Sequence, residues 1–217
     1  MTYAELIAKL QTWWESDETA FLAEVDTFIE HAEKRIYRSV DLNVTHVKDI
    51  LPISESNRGL SITTPGTFRI FQTINFVDSS GVYTPLLQKD RSFLEDYAPD
   101  PSVESLPRYY AIYNENLIIV PTPNAAAAAG TLHVTYVYYP SQISSGNTPT
   151  WLSTHAPDVL FYACMLEVLT FQKAEPDTIQ DYTAKYQQAL QGLVLEENLR
   201  NRTDEYREGE IKMGAPQ

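Results

Sequence analysis

Tyr109-Tyr-Ala-Ile-Tyr113, the turn Asn114-Glu-Asn116 and Leu117-Ile-Ile-Val120 decide the fold class of this chain. Two short runs of aromatic and β-branched residues flank a polar turn, and that pattern specifies a β-hairpin. Pro121-Thr-Pro-Asn124 ends it. Downstream, Thr131 to Tyr139 reads as the third strand of a meander. The alanine run from Ala125 to Ala129, closed by Gly130, fits a helical turn or a connecting loop. A helix this short does not stand alone, so a loop is expected. Upstream, Phe68 to Val77 is rich in strand formers, Asp78-Ser-Ser-Gly81 reads as a turn, and Val82 to Leu87 as the return strand. Val44, His46, Asp49 and Leu51 open a less regular, β-branched stretch. Asp90 stands where it would cap a short helix through Tyr97, with Phe93, Leu94 and Tyr97 packing inward.

On both sides of this region the period changes to that of helices. Thr2 and Glu5 have the spacing of a capping box, and Leu6, Leu10, Trp13 and Trp14 follow at helical spacing. Adjacent tryptophans on a helix point about 100° apart. One therefore faces the core, and the other is free to cover a seam or meet a neighbour. Ser16-Asp17-Glu18 breaks the segment and supplies caps for the next. A second helix is expected over 19–40, with Leu22, Val25, Phe28, Ile29, Ala32 and Ile36 as its apolar stripe. Glu24, Asp26, Glu30, Glu33, Lys34 and Arg38 lie largely off it, and Glu30 and Lys34 form an i,i+4 pair.

After the linker Ser144-Ser-Gly-Asn-Thr-Pro149, Pro157 suits a first helical position, with Thr154 or His155 as its cap. The helix that follows is apolar on most sides, the mark of a buried helix. Pro176 opens the last helix, with a stripe through Ile179, Tyr182, Tyr186, Ala189, Leu190, Leu193 and Val194. The fold class expected is α+β. The N- and C-terminal segments, 1–43 and 151–199, form a helical bundle, and a mainly antiparallel β-domain over 44–150 is inserted between them. Residues 200–217 are a polar tail without an apolar stripe.

Formal net charge is −13 and is spread along the chain. Such a surface keeps a protein soluble, or lets nucleic acid pass without sticking. Tight binding to phosphate backbones needs clustered Lys and Arg, and the sequence shows no such cluster. The single cysteine, Cys164, rules out an intramolecular disulfide. No Cys/His set has zinc spacing, the N-terminus lacks signal-peptide character, and no apolar run approaches the roughly 20 residues of a membrane span. Assembly in a reducing cytoplasm is expected, without a membrane.

No catalytic set emerges. His31, His46, His133 and His155 are scattered without metal-ligand spacing and read as structural or surface residues. Cys164 reads as a small core residue rather than a reactive thiol. The acidic pairs Asp17/Glu18, Glu95/Asp96, Glu196/Glu197 and Asp204/Glu205 read as solvated faces. Tyr109, Tyr110, Tyr113, Tyr136, Tyr138 and Tyr139 read as sheet packing ahead of a sugar- or base-stacking platform. No cofactor, no metal and no enzymatic activity are expected.

Three blocks carry a resemblance. They are Ala32-Glu-Lys-Arg-Ile-Tyr-Arg38, the run Pro107 to Pro123 followed by Val134 to Pro140, and Trp151-Leu152 with Ala156 to Glu167 and the terminal helix bearing Tyr182 and Tyr186. In this order the chain resembles the head-to-tail adaptor (connector) proteins of tailed bacteriophages, particularly those of short-tailed phages. The resemblance implies a structural virion protein at the head-tail junction, assembled in the host cytoplasm. It would form a ring of twelve copies between the portal protein and the tail nozzle or tail tube protein, with DNA passing through without tight binding. It also implies a C-terminal tail that docks on the portal. Arg200, Arg202, Tyr206, Arg207, Ile211 and Met213 are the candidate contacts. The alanine-rich segment 121–130 has no counterpart in the resemblance. The alternative is a carbohydrate- or receptor-binding β-module of a tail fibre or surface protein, using the tyrosine-rich strands. The long bracketing helices favour the adaptor, because a lectin-like sandwich has no need of them.

Overall fold

A computed structural model describes residues 1–14, 19–61, 67–113 and 116–200. The helices are α1 Tyr3–Trp14, α2 Thr19–Ser39, α3 Arg91–Tyr97, α4 Ala125–Ala128, α5 Trp151–His155, α6 Pro157–Phe171 and α7 Pro176–Arg200. The strands are β1 His46–Pro52, β2 Gly59–Ser61, β3 Thr67–Val77, β4 Tyr83–Pro85, β5 Leu87–Gln88, β6 Glu104–Ser105, β7 Tyr109–Tyr113, β8 Asn116–Val120, β9 Thr122–Pro123 and β10 Thr131–Tyr139. The class is α+β. Contacts divide the chain into two units, one of residues 1–43 with the chain from Gln142 on, the other of residues 44–141.

In the helical unit, α1 begins with the expected capping box. The Thr2 N–H donates to Glu5 Oε2 at 2.9 Å, and the Glu5 N–H donates to Thr2 Oγ1 at 3.2 Å. Leu6 and Leu10 are fully buried. Neither adjacent tryptophan is. Trp14 is half-buried, and Trp13 is exposed with one side edge-on to Phe161, ring centroids 5.1 Å apart. The breaker Ser16-Asp17-Glu18 lies outside the described residues. On α2, Val25, Phe28, Ile29, Ala32 and Ile36 are buried as expected. Leu22 is 43% exposed and Phe21 takes its layer, its ring meeting Phe28 one heptad on. Helix α6 packs against both α2 and α7, with α1 and α5 also in contact, so most of its sides meet protein. That is why its apolar residues need no amphipathic stripe. The expected caps Thr154 and His155 belong instead to α5. Thr150 starts α5 with its own capping box to Ser153, and Ala156 caps α6 without a side-chain bond.

In the β unit, one sheet has the order β1-β10-β3-β4 and a second β2-β8-β7-β5, with β6 and β9 as a parallel pair. Ile74, Phe76, Leu132, Val134 and Tyr136 from the first sheet share one core with Tyr110, Leu117 and Ile119 from the second. Helix α3 covers the opposite face of the second sheet through Leu94, against Ala111 and Val120. The hairpin β7–β8 is as read from the sequence. Strand β10 is not its third strand. It lies antiparallel between β1 and β3 as the centre of the other sheet. The return strand after the Asp78–Gly81 turn is also shorter than expected. β4 covers Tyr83–Pro85, and Leu87 crosses to the second sheet as β5, where it pairs with Tyr109.

The alanine run is helical, not a loop. The Asn124 side chain accepts the Ala127 N–H at 2.9 Å, and burial of Ala127 in the core completes the turn. Gly130 follows because nothing larger fits. A Cβ there would sit 2.4 Å from the Val77 carbonyl oxygen and 2.8 Å from the Phe76 ring. Asp90 precedes α3 without a side-chain cap bond. Of the residues expected inward on α3, only Leu94 is buried.

Candidate functional site

The helical unit gathers its charges where α2 meets α6 and α7. Two carboxylates read as solvated are buried. Glu33 is 3% exposed and accepts the Ile143 N–H at 3.3 Å. Burial pushes its pKa up to about 7, against the weaker pull of that hydrogen bond. Glu197 is 2% exposed and accepts the Asn43 N–H at 3.2 Å. On the outer side of α2, Lys34 pairs with Glu30, and Arg35 pairs with Glu167 of α6. His31 Nδ1 lies 3.9 Å from the same Glu167 carboxylate. His31, Lys34, Arg35 and Glu167, with Arg38 and Ser39, bound a groove of about 520 Å³. This small cation cluster was not recognised in the sequence. The run Lys34-Arg35 with Arg38 one turn on was its signal.

Cys164 is buried in α6, and burial raises its pKa, so the thiol stays protonated. Among the described residues, no group of three or more His, Cys, Asp or Glu is placed to hold a metal ion. No described helix is long and apolar enough to cross a membrane.

Apolar surface is exposed on each unit. In the helical unit, Trp13 and Phe161 border a hollow of about 280 Å³ with Lys9, Pro157 and Asp158. In the β unit, Phe93 and Tyr97 stack with centroids 5.8 Å apart, and both meet Tyr109 edge-on. Beside them, Tyr97, Ala98, Pro99, Asp100, Val103 and Pro121 line a hollow of about 420 Å³. Arg58 fixes its shape. Its Nε donates to Thr122 Oγ1 at 2.7 Å, its Nη1 to the Ala98 carbonyl at 3.0 Å, and its Nη2 to the Asp100 carbonyl at 3.1 Å. The tyrosines do not form one platform. Tyr110 and Tyr136 are core residues, and the Tyr136 hydroxyl donates to Asp49 Oδ2 at 3.0 Å. Tyr83 lies across the outer face of the first sheet, its hydroxyl 3.1 Å from His133 Nδ1 and its ring under Lys48.

This geometry offers apolar hollows and no gathered catalytic set among the described residues, and a comparison with protein families says what kind of protein carries it. The model of the SU10 adaptor protein family matches residues 1–211. The chain belongs to the SU10 adaptor family. It is therefore a phage adaptor protein, a structural component of the virion at the head-tail junction, of a family that is structural rather than catalytic. No curated protein matches it. In this adaptor, α7 carries the chain out to Arg200, and Arg202, Tyr206, Arg207, Ile211 and Met213 lie outside the described residues. The family match runs to residue 211, short of Met213.

Proposed function

We propose that this adaptor joins the portal vertex of the capsid to the tail as a ring of twelve copies, with DNA passing through its centre. The observation that carries the reading is the family match over residues 1–211. The partners are the portal protein on one side and the tail nozzle or tail tube protein on the other. The charge distribution supports a conduit that does not hold DNA. Net charge is −13, and the cations of α2 are interleaved with Glu30 and Glu167. Such a surface neutralises few phosphates and releases few counterions. Duplex DNA is expected to show no measurable binding to the purified protein at physiological salt. Repulsion among copies keeps the isolated protein a monomer or weak oligomer, and the ring forms on the portal.

The tail from Arg200 is the portal-docking element in this reading. Tyr206, Ile211 and Met213 supply anchors, and Arg200, Arg202 and Arg207 pair with acidic groups. Truncation after Leu199 tests it. Thermal stability should be unchanged, and docking on the purified portal, followed by analytical ultracentrifugation, should be lost. Docking at full affinity by the truncated chain would refute the tail's role.

A further inference from the structure

We propose that Glu33 and Glu197 are the pins of a hinge. They clamp, on the helical side, the two places where the chain passes between its units, and leave the links 43–44 and 141–142 to turn. The inference concerns the single chain and stands apart from the ring reading.

The chain leaves the helical unit after Asn43 and re-enters it at Gln142. Leu42 and Ile143, both residues of the helical unit, are fully buried, whereas Asn43 and Ser141 are exposed. Burial therefore ends abruptly at each crossing. At both places a backbone N–H beside the crossing goes to a buried carboxylate. The Asn43 N–H donates to Glu197 Oε2 of α7 at 3.2 Å, and the Ile143 N–H donates to Glu33 Oε1 of α2 at 3.3 Å. The partners stand 154 and 110 residues apart in sequence. The ties are crossed: α7 holds the exit that follows α2, and α2 holds the return that precedes α5. The return is held a second time, because the Asn147 side-chain amide donates to the Gln142 carbonyl at 2.9 Å.

A neutral oxygen would accept either N–H at lower cost, because a carboxylate gives up its hydration on burial. What the charge adds is a stronger bond. A strong bond at these two N–H groups fixes the backbone directly beside exposed residues. That is the construction of a hinge, in which a few residues at the ends of elements absorb the change in backbone angles. Compact units of one chain move relative to each other by default. Two held crossings confine that motion to the line through them, where a single link would swivel freely.

Hydrogen–deuterium exchange of the full chain, read amide by amide by NMR, tests the pins. In the wild type the Asn43 and Ile143 amides should exchange slowly. Glu197→Ala should speed Asn43 by about tenfold and leave Ile143 alone, Glu33→Ala should do the reverse, and the Gln variants should keep the wild-type rates. Double electron–electron resonance tests the turn, with spin labels on Gln191→Cys of α7 and Gln72→Cys of β3, both exposed positions. This distance distribution should be wider than that of Gln191→Cys with Glu24→Cys inside the helical unit, and Glu33→Ala with Glu197→Ala should widen it further. Equal widths in the wild type would overturn the hinge. Fast exchange at Asn43 or Ile143 in the wild type, or Ala variants that leave it unchanged, would overturn the pins. So would Ala variants whose faster exchange spreads along α6, which would make both carboxylates supports of the bundle rather than of the crossings.

Discussion

The two units hide polar groups in opposite ways. The helical unit buries ionisable side chains, Glu33 and Glu197, in a unit whose α6 is apolar on most sides. Among the described residues, the polar groups buried in the β unit are the neutral Thr45 and Thr122, and its tightest point is the backbone at Gly130. The helical unit should therefore respond to pH and to lost volume, the β unit to added volume. The tryptophans separate the two in an experiment. Trp13, Trp14 and Trp151 all belong to the helical unit, whereas the β unit has no tryptophan and eight of the 14 tyrosines. Trp emission reads the first alone, and near-ultraviolet Tyr circular dichroism reads both, so a change confined to the second moves the Tyr signal without the Trp emission.

The largest effect should come from Leu160→Ala. Leu160 is fully buried in α6. The truncation leaves a cavity and should cost about 4 kcal/mol, seen in urea unfolding as a lower midpoint in Trp emission. A larger shift in the Tyr signal would break the comparison.

Glu33→Gln comes next and should stabilise. The Glu33 pKa rises from its ordinary 4.5 to about 7 on folding. Below that window the side chain is protonated in both states and contributes no difference. As pH rises through it, the unfolded chain releases the proton first, the folded chain holds more protons, and stability falls. The wild type should lose about 3 kcal/mol of stability between pH 4.5 and 7 through this group. Gln keeps an oxygen for the Ile143 N–H and removes the charge. Urea titrations at pH 5 and pH 8 should show the variant gaining at pH 8 and little at pH 5; equal gains would contradict the buried-charge account.

Gly130→Ala is expected to cost about 2 kcal/mol, because the new methyl has to push the Val77 carbonyl or the Phe76 ring. Its shift should be larger in the Tyr signal than in Trp emission. Equal shifts would mean that the units unfold as one. The smallest effect belongs to Leu195→Gln. Leu195 is 65% exposed, and the change should stay within about 0.5 kcal/mol by thermal melting.

The sequence carried most of what is local. The capping box at Thr2, the β7–β8 hairpin and the nearly all-apolar α6 are each written within a few residues, and each formed as read. What failed was set by distant partners. Strand β10 has a strand pattern, but nothing in that pattern says it lies between β1 and β3 rather than beside β8. Ala125–Ala128 is too short to be a helix alone, and the core that takes Ala127 makes it one. Glu33 looked like a surface residue because its cover, the chain at Ile143, comes more than a hundred residues later. The contact surfaces were the least legible. The groove needs Glu167 of α6 beside α2, and no spacing along the chain brings the two together.

Cys164 gives the helical unit a built-in clock. A protonated thiol sealed in α6 cannot meet a reagent until the helix leaves its neighbours. The rate at which a maleimide captures it under native conditions thus counts those openings. No denaturant is needed, so the count can be taken on the free chain and again on the chain held within a particle. The ratio of the two rates is a direct measure of how far assembly clamps the helices shut.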